Sequence, residues 1–141
     1  MQDHFNLARF VTAQAPVLPA VLAELRAGRK TSHWMWFVFP QIAGLGHSAM
    51  AREYALSGRD EAAAYLAHPV LGARLHECTA LVLAHRGRDV HGIFGSPDDM
   101  KFHSSMTLMA EAAPAPSVFS ECLEAFFAGQ PDRQTIALLN R

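Results

Sequence analysis

Arg29-Lys30-Thr31-Ser32-His33-Trp34-Met35-Trp36-Phe37-Val38-Phe39-Pro40-Gln41 is the stretch whose reading decides the fold. Both tryptophans of the chain stand in it, with two phenylalanines, a Met and a Val between them and Pro40. A run this apolar must be buried, because each large aromatic side chain offers roughly 150–250 Å² of contact surface. The polar residues that bracket it, Lys30, Ser32 and His33 before and Gln41 after, are then pulled to the rim of the core or into a cleft beside it. The aromatic and β-branched content would suit a strand, but nothing else in the chain offers a partner strand. A short buried helix, capped by Ser32 and closed by Pro40, is the better reading.

The flanking sequence is punctuated as helices. Upstream, Phe5, Leu7, Phe10 and Val11 recur at helical spacing and stop before Pro16. Pro19 suits the first turn of a second helix, with Val21, Leu22 and Leu25 on its buried face and Gly28 as a left-handed cap. Downstream, Gly44 and Gly46 make a loop, Ser48 starts a segment through Tyr54, and Ser57 or Asp60 opens a helix that His68-Pro69 breaks. Pro69 then begins what reads as the longest helix, running to about His85 on a stripe of Val70, Leu71, Leu75, Cys78, Leu81 and Val82. Asp89 caps a turn through Ile93-Phe94. Ser96-Pro97-Asp98-Asp99 is a compact helix start, with a capping Ser, Pro at the first position and two carboxylates at the positive dipole end. Ser117 and Asp132 cap the last two helices. The expected architecture is all-α: one compact domain spanning residues 1–141, a bundle of about seven mostly short helices.

Composition narrows the function. The chain has 141 residues, half of them hydrophobic, and a formal net charge of −1. No run of Lys and Arg exceeds two residues, so the footprint of a nucleic-acid binder is missing. No apolar stretch approaches the ~18–20 residues that span a bilayer. Met1 to Ala20 carries Asp3, Arg9 and Gln14 and lacks the shape of a signal peptide. A soluble, cytoplasmic protein is expected, without nucleic-acid or membrane partners. Its two cysteines, Cys78 and Cys122, sit among apolar neighbours in helical patterns and read as buried, reduced thiols.

Two polar concentrations carry candidate chemistry. Gly28-Arg29-Lys30-Thr31-Ser32 places two cations beside hydroxyls and a helix start, which suits an anion. It is not a P-loop, since Arg29 breaks the Gly-Lys-Ser/Thr order, Ala23 stands where the upstream Gly would be, and no strand leads in. The bland alternative is a solvated turn. His33 beside Trp34 suits a general base or a ligand contact, or merely a carbonyl partner at the core edge. The second concentration is Asp98-Asp99 with Lys101, Ser104, Ser105 and Thr107. Helix capping accounts for the carboxylates, but hydroxyls on a mostly buried helix need partners. A cleft shared with His33 and Gln41 would supply them. The eight histidines are scattered without an i, i+4 pair, and no metal or other cofactor is expected.

Several blocks together resemble the bacterial family called domain of unknown function 1810. They are Glu24 to Lys30, Ser32 to Gln41, Gly44 to Gly46, Ala64 to Gly72, Arg74 to Cys78, Ile93 to Gly95, Asp98 to Lys101, Ser104 to Leu108, and Asp132 with Thr135 to Leu139. The resemblance covers almost the whole chain from Phe10 onward. It implies a compact all-helical fold and brings no established activity. Some members carry a calpastatin-like label, but calpastatin-type inhibitors are disordered and polar whereas this chain is half hydrophobic. The family's signature maps onto Lys30, Ser32, His33, Trp34, Trp36, Pro40, Gln41, His68, Pro69, Asp99, Lys101, Ser104 and Ser105. His103 departs from it, standing where an apolar or small residue is expected.

Two functions follow as expectations. The first is a pocket for a small anionic, nucleotide- or ADP-ribose-like ligand. Lys30, Ser32, Trp34, Trp36, Gln41, Lys101, Ser104 and Ser105 would line it, and His33 or Asp99 would act as acid or base in any hydrolysis or group transfer. The second is a non-catalytic helical interaction module with no pocket near His33 and an exposed apolar patch around Phe126-Phe127. The pocket is favoured. Oligomeric state is not legible.

Overall fold

The computed structural model of the chain describes residues 3–141. Among them ten α-helices follow one another: α1 Ala8–Gln14, α2 Leu18–Ala27, α3 Met35–Val38, α4 Ala49–Glu53, α5 Arg59–Ala67, α6 Leu71–Leu83, α7 Val90–Phe94, α8 Asp98–Ala112, α9 Val118–Phe127 and α10 Arg133–Leu139. The class is all-α, as expected. The count exceeds the expected seven, and three of the ten, α3, α4 and α7, are single turns. The described residues form no strand; one isolated parallel bridge joins Ile42 to Leu56.

The caps behave largely as their residue types dictate. Gly28 ends α2 with φ of 72°, in the left-handed region that costs glycine nothing. Ser48, Asp89 and Asp132 cap α4, α7 and α10 through their side chains, and Ser117 forms a reciprocal capping box with Ser120 on α9. Several expectations need correction. α5 opens after Gly58 rather than at Ser57 or Asp60, with no side-chain cap. α3 is capped at Trp34 without any side-chain bond, because the Ser32 hydroxyl is engaged elsewhere. α8 begins at Asp98 rather than Pro97 and draws no cap from Ser96. The longest helix is α8, with 15 residues against 13 in α6. α6 advertises itself by one apolar stripe, whereas α8 is buried on almost every side and shows no such stripe.

α6 and α8 are the two centres of packing. α8 contacts α5, α7, α9 and α10, while α6 contacts α2, α5 and α9. The aromatic stretch fills the space at one end of this arrangement. Phe39 meets Phe94 edge-on at 5.9 Å and Phe102 edge-on at 5.1 Å, and Phe94 stacks on Phe102 at 4.7 Å. Such pairs add about 0.5–1.5 kcal/mol each beyond area burial. α3 is thereby clamped against α7 and α8, which brings the polar residues just before it to the start of α8.

The corner between α5 and α6 is tight. His68 accepts from the backbone N–H groups of Val70 and Leu71 through Nδ1, and Gly72 lies so close to α5 that a Cβ there would run into the Leu66 carbonyl oxygen. Gly72→Ala is therefore expected to destabilise the protein by about 1–3 kcal/mol. A urea midpoint equal to that of the parent chain would show that the corner has room to relax.

Candidate functional site

The segment after α2 hangs on one carboxylate. Glu24, in the last turns of α2, accepts from the Thr31 N–H at 2.7 Å, the Ser32 N–H at 3.0 Å, the Ser32 hydroxyl at 2.5 Å and the Trp34 indole N–H at 3.1 Å. Burial by itself would raise the Glu24 pKa; these donors outweigh it and hold the carboxyl at about 2, against an ordinary 4.5. The Lys30 N–H donates to the Ile93 carbonyl at 2.8 Å, so the same segment is also tied to α7.

With its backbone fixed, Lys30 turns inward. Its ammonium group donates to the Ser32 carbonyl at 2.6 Å, pairs with Asp98 Oδ2 at 2.7 Å and lies 4.9 Å from the Trp34 ring centroid. The side chain is only 6% exposed. Asp98 sits in the first turn of α8, where the helix dipole favours a carboxylate. Its Oδ1 lies 3.6 Å from the ammonium of Lys101, which in turn lies over the Trp36 ring at 5.5 Å. Two ammonium groups thus flank one carboxylate.

These residues enclose a cleft of about 360 Å³, lined by residues 30–36 on one side and by Ser96, Pro97, Asp98 and Lys101 on the other. The segments around 30–36 and 98–101 therefore meet in space. His33 stands exposed at the rim, Trp36 is half-buried, and Lys101, with 26% of its side chain exposed, is the more accessible of the two cations. Trp34 is fully buried beneath the floor, so its ring is not open to stacking on a ligand.

Other expected members lie elsewhere. Asp99 accepts from the Met100 N–H at 2.8 Å and pairs with His91 at 3.2 Å, outside the cleft that has His33 at its rim. Gln41 is not in the lining; its carbonyl accepts from the Leu56 N–H at 2.9 Å. Ser104 donates to the Met100 carbonyl and to Asp132, serving the start of α10. Ser105 is fully buried without a hydrogen-bond partner among the described residues. The hydroxyls of Ser104 and Thr107 point to carbonyls of α8 itself and to the start of α10, because the face of α8 towards the cleft is only its first turn. His103, the departure from the expected pattern, accounts for itself: its ring stacks on Phe127 at 3.9 Å and bonds the Gln130 carbonyl at 2.8 Å. Glu24 and Asp98 are the members that local sequence rules missed or explained away. One acts across seven to ten residues and the other carried a sufficient capping explanation.

The profile of the family described as "Protein of unknown function (DUF1810)" matches residues 4–139. The chain belongs to this family. It is also similar to a solved structure, the conserved hypothetical protein Rv1873 from Mycobacterium tuberculosis, at 55% identity, with 99% of each chain covered and a TM-score of 0.96. Among curated proteins none matches. In this member of the DUF1810 family, no group of three or more His, Cys, Asp or Glu among the described residues is placed to hold a metal. Cys78 and Cys122 are free and buried, and burial pushes both thiols up to about 12, which removes them as nucleophiles. No helix among the described residues is long and apolar enough to cross a membrane.

The depressed Glu24 pKa makes a signed prediction. The folded state keeps the carboxylate ionised where the unfolded chain has already taken up a proton. Its stabilisation is complete above pH about 4.5 and is lost as pH falls from there towards about 2. The gap in melting temperature between the parent chain and Glu24→Gln should therefore narrow through that window. A gap that stays constant on acidification would contradict the assignment.

Proposed function

We propose that the cleft between residues 30–36 and the start of α8 binds a small anionic ligand of nucleotide- or ADP-ribose-like character. One observation carries this reading: Lys30 and Lys101, 71 positions apart in the chain, converge on Asp98 in one cleft beside the half-open ring of Trp36. Lys101 supplies the accessible charge, Trp36 a face for stacking, and His33 an imidazole at the rim. A cleft of about 360 Å³ is near the lower end of ligand sites, which suits a mononucleotide-sized moiety better than a whole dinucleotide.

The reading is one of binding. Hydrolysis or group transfer with Asp99 as acid or base draws little support, since Asp99 is engaged with His91. A cytoplasmic setting fits the two free thiols. The interaction module draws less support than the pocket. A cleft does lie at His33, Phe126 and Phe127 are half-buried beside Phe102, and the exposed large apolar residues among those described are Val70 and Met100.

A thermal-shift panel of nucleotides, ADP-ribose and sugar phosphates tests the reading. A ligand at about 100 times its Kd adds roughly 2.7 kcal/mol to stability. The expected outcome is a response that Lys101→Ala removes while leaving the unliganded melting temperature nearly unchanged, because Lys101 is partly exposed and its contact with Asp98 is long. A response untouched by Lys101→Ala, or none across the panel, would count against the cleft.

A further inference from the structure

We infer that the ligand of this cleft is a phosphate ester of a hydroxylated sugar, ribose being the simplest case, and that Asp98 is the residue that selects it. The inference rests on the anion-binding reading above and adds the ligand's second functional group.

A carboxylate between two lysines is a poor feature in a site for a bare anion, because it repels what the lysines attract. Its two oxygens are unequally used. Oδ2 is 2.7 Å from the Lys30 ammonium, whereas Oδ1 is 3.6 Å from that of Lys101, beyond hydrogen-bond length, and accepts no hydrogen bond among the described residues. An ionised carboxylate is acceptor-only, with about four lone-pair sites to fill. Asp98 is about one-fifth exposed and lines the cleft, so the donors that complete it come from solvent or ligand.

Lys101 and Asp98 Oδ1 thus offer a cationic donor and an anionic acceptor side by side, next to the Trp36 ring. The complementary ligand presents an acceptor and a donor together. Inorganic phosphate near neutral pH is mainly an acceptor and meets repulsion from Asp98. A sugar phosphate brings the phosphate for Lys101, hydroxyls for Asp98 and, in a nucleotide, a base for Trp36. Hydrogen bonds to charged groups are the strong class, so losing them should be costly.

The test is calorimetric titration of the full chain with AMP, 2′,3′-dideoxy-AMP and inorganic phosphate, repeated with Asp98→Asn. AMP is expected to bind the parent chain at least about tenfold more tightly than the dideoxy analogue. In Asp98→Asn that ratio should shrink while inorganic phosphate binds more tightly, an opposite pair of changes that general destabilisation would not produce. The comparison of ligands on the parent chain stands even if the variant folds poorly. Equal affinities for AMP and its dideoxy analogue would overturn this inference and leave the anion-binding reading intact. An unchanged ratio in a folded Asp98→Asn would overturn the role of Asp98. Absence of binding by all three ligands would overturn both readings.

Discussion

Four donors from residues 31–34 converge on the carboxylate of Glu24, and the geometry of the cleft depends on that convergence. α2 is packed on α6, so Glu24 is a fixed point. The segment after Gly28 is drawn back onto it and cannot swing into solvent. With the segment held, Lys30 has nowhere to go but inward. An ammonium group so nearly excluded from water would be expensive if unpaired, since breaking a buried pair typically costs about 3–5 kcal/mol. Asp98, the Ser32 carbonyl and the Trp34 ring offset that cost together. A hydrogen-bond cluster that belongs to local structure thereby fixes where positive charge appears in the cleft.

α8 does the complementary work from the other side. Phe102, Met106, Leu108 and Met109 are fully buried, and the helix is gripped by four neighbours. Only its first turn reaches the surface at the cleft. That turn carries Asp98 and Lys101 at i, i+3, on one face of the helix. Further along, Thr107 accepts from the Asp132 N–H and Ser104 donates to the Asp132 side chain, which pins α10 to the same core. The charged end is therefore presented by a rigid element, which is what a binding site requires if its groups are to keep their spacing.

How far this was legible in the sequence varies from residue to residue. The all-helical class followed from the caps, because Gly28, Ser48, Asp89, Ser117 and Asp132 act locally and did what their types dictate. The aromatic stretch was correctly read as buried and helical, and its neighbours Lys30, Ser32, His33 and Trp36 do lie in the cleft. What failed was everything that depended on which way a buried side chain turns. The hydroxyls of Ser104 and Ser105 pointed the sequence argument to the cleft, yet α8 has turned that face to α10 and the core. Trp34 and Trp36 look alike in sequence, but one sits under Lys30 with its N–H spent on Glu24 and the other is half-open. Asp98 and Asp99 are adjacent and equally plausible as caps; the helix's rotation sends one into the cleft and the other towards His91. No local rule carries that rotation, since packing by Phe94, Phe39 and Phe102 sets it.

Because the two tryptophans have such different surroundings, their indole N–H signals report directly on the central claim. The measurement is a 1H–15N correlation spectrum of the uniformly labelled protein during titration with AMP. The account predicts that the Trp36 indole signal and the backbone signals of residues 31–36 and 98–101 move together along one saturating curve, with the Trp34 indole, bonded to Glu24, moving least. Shifts confined to residues away from that cleft, with the Trp36 indole unmoved at saturation, would contradict it.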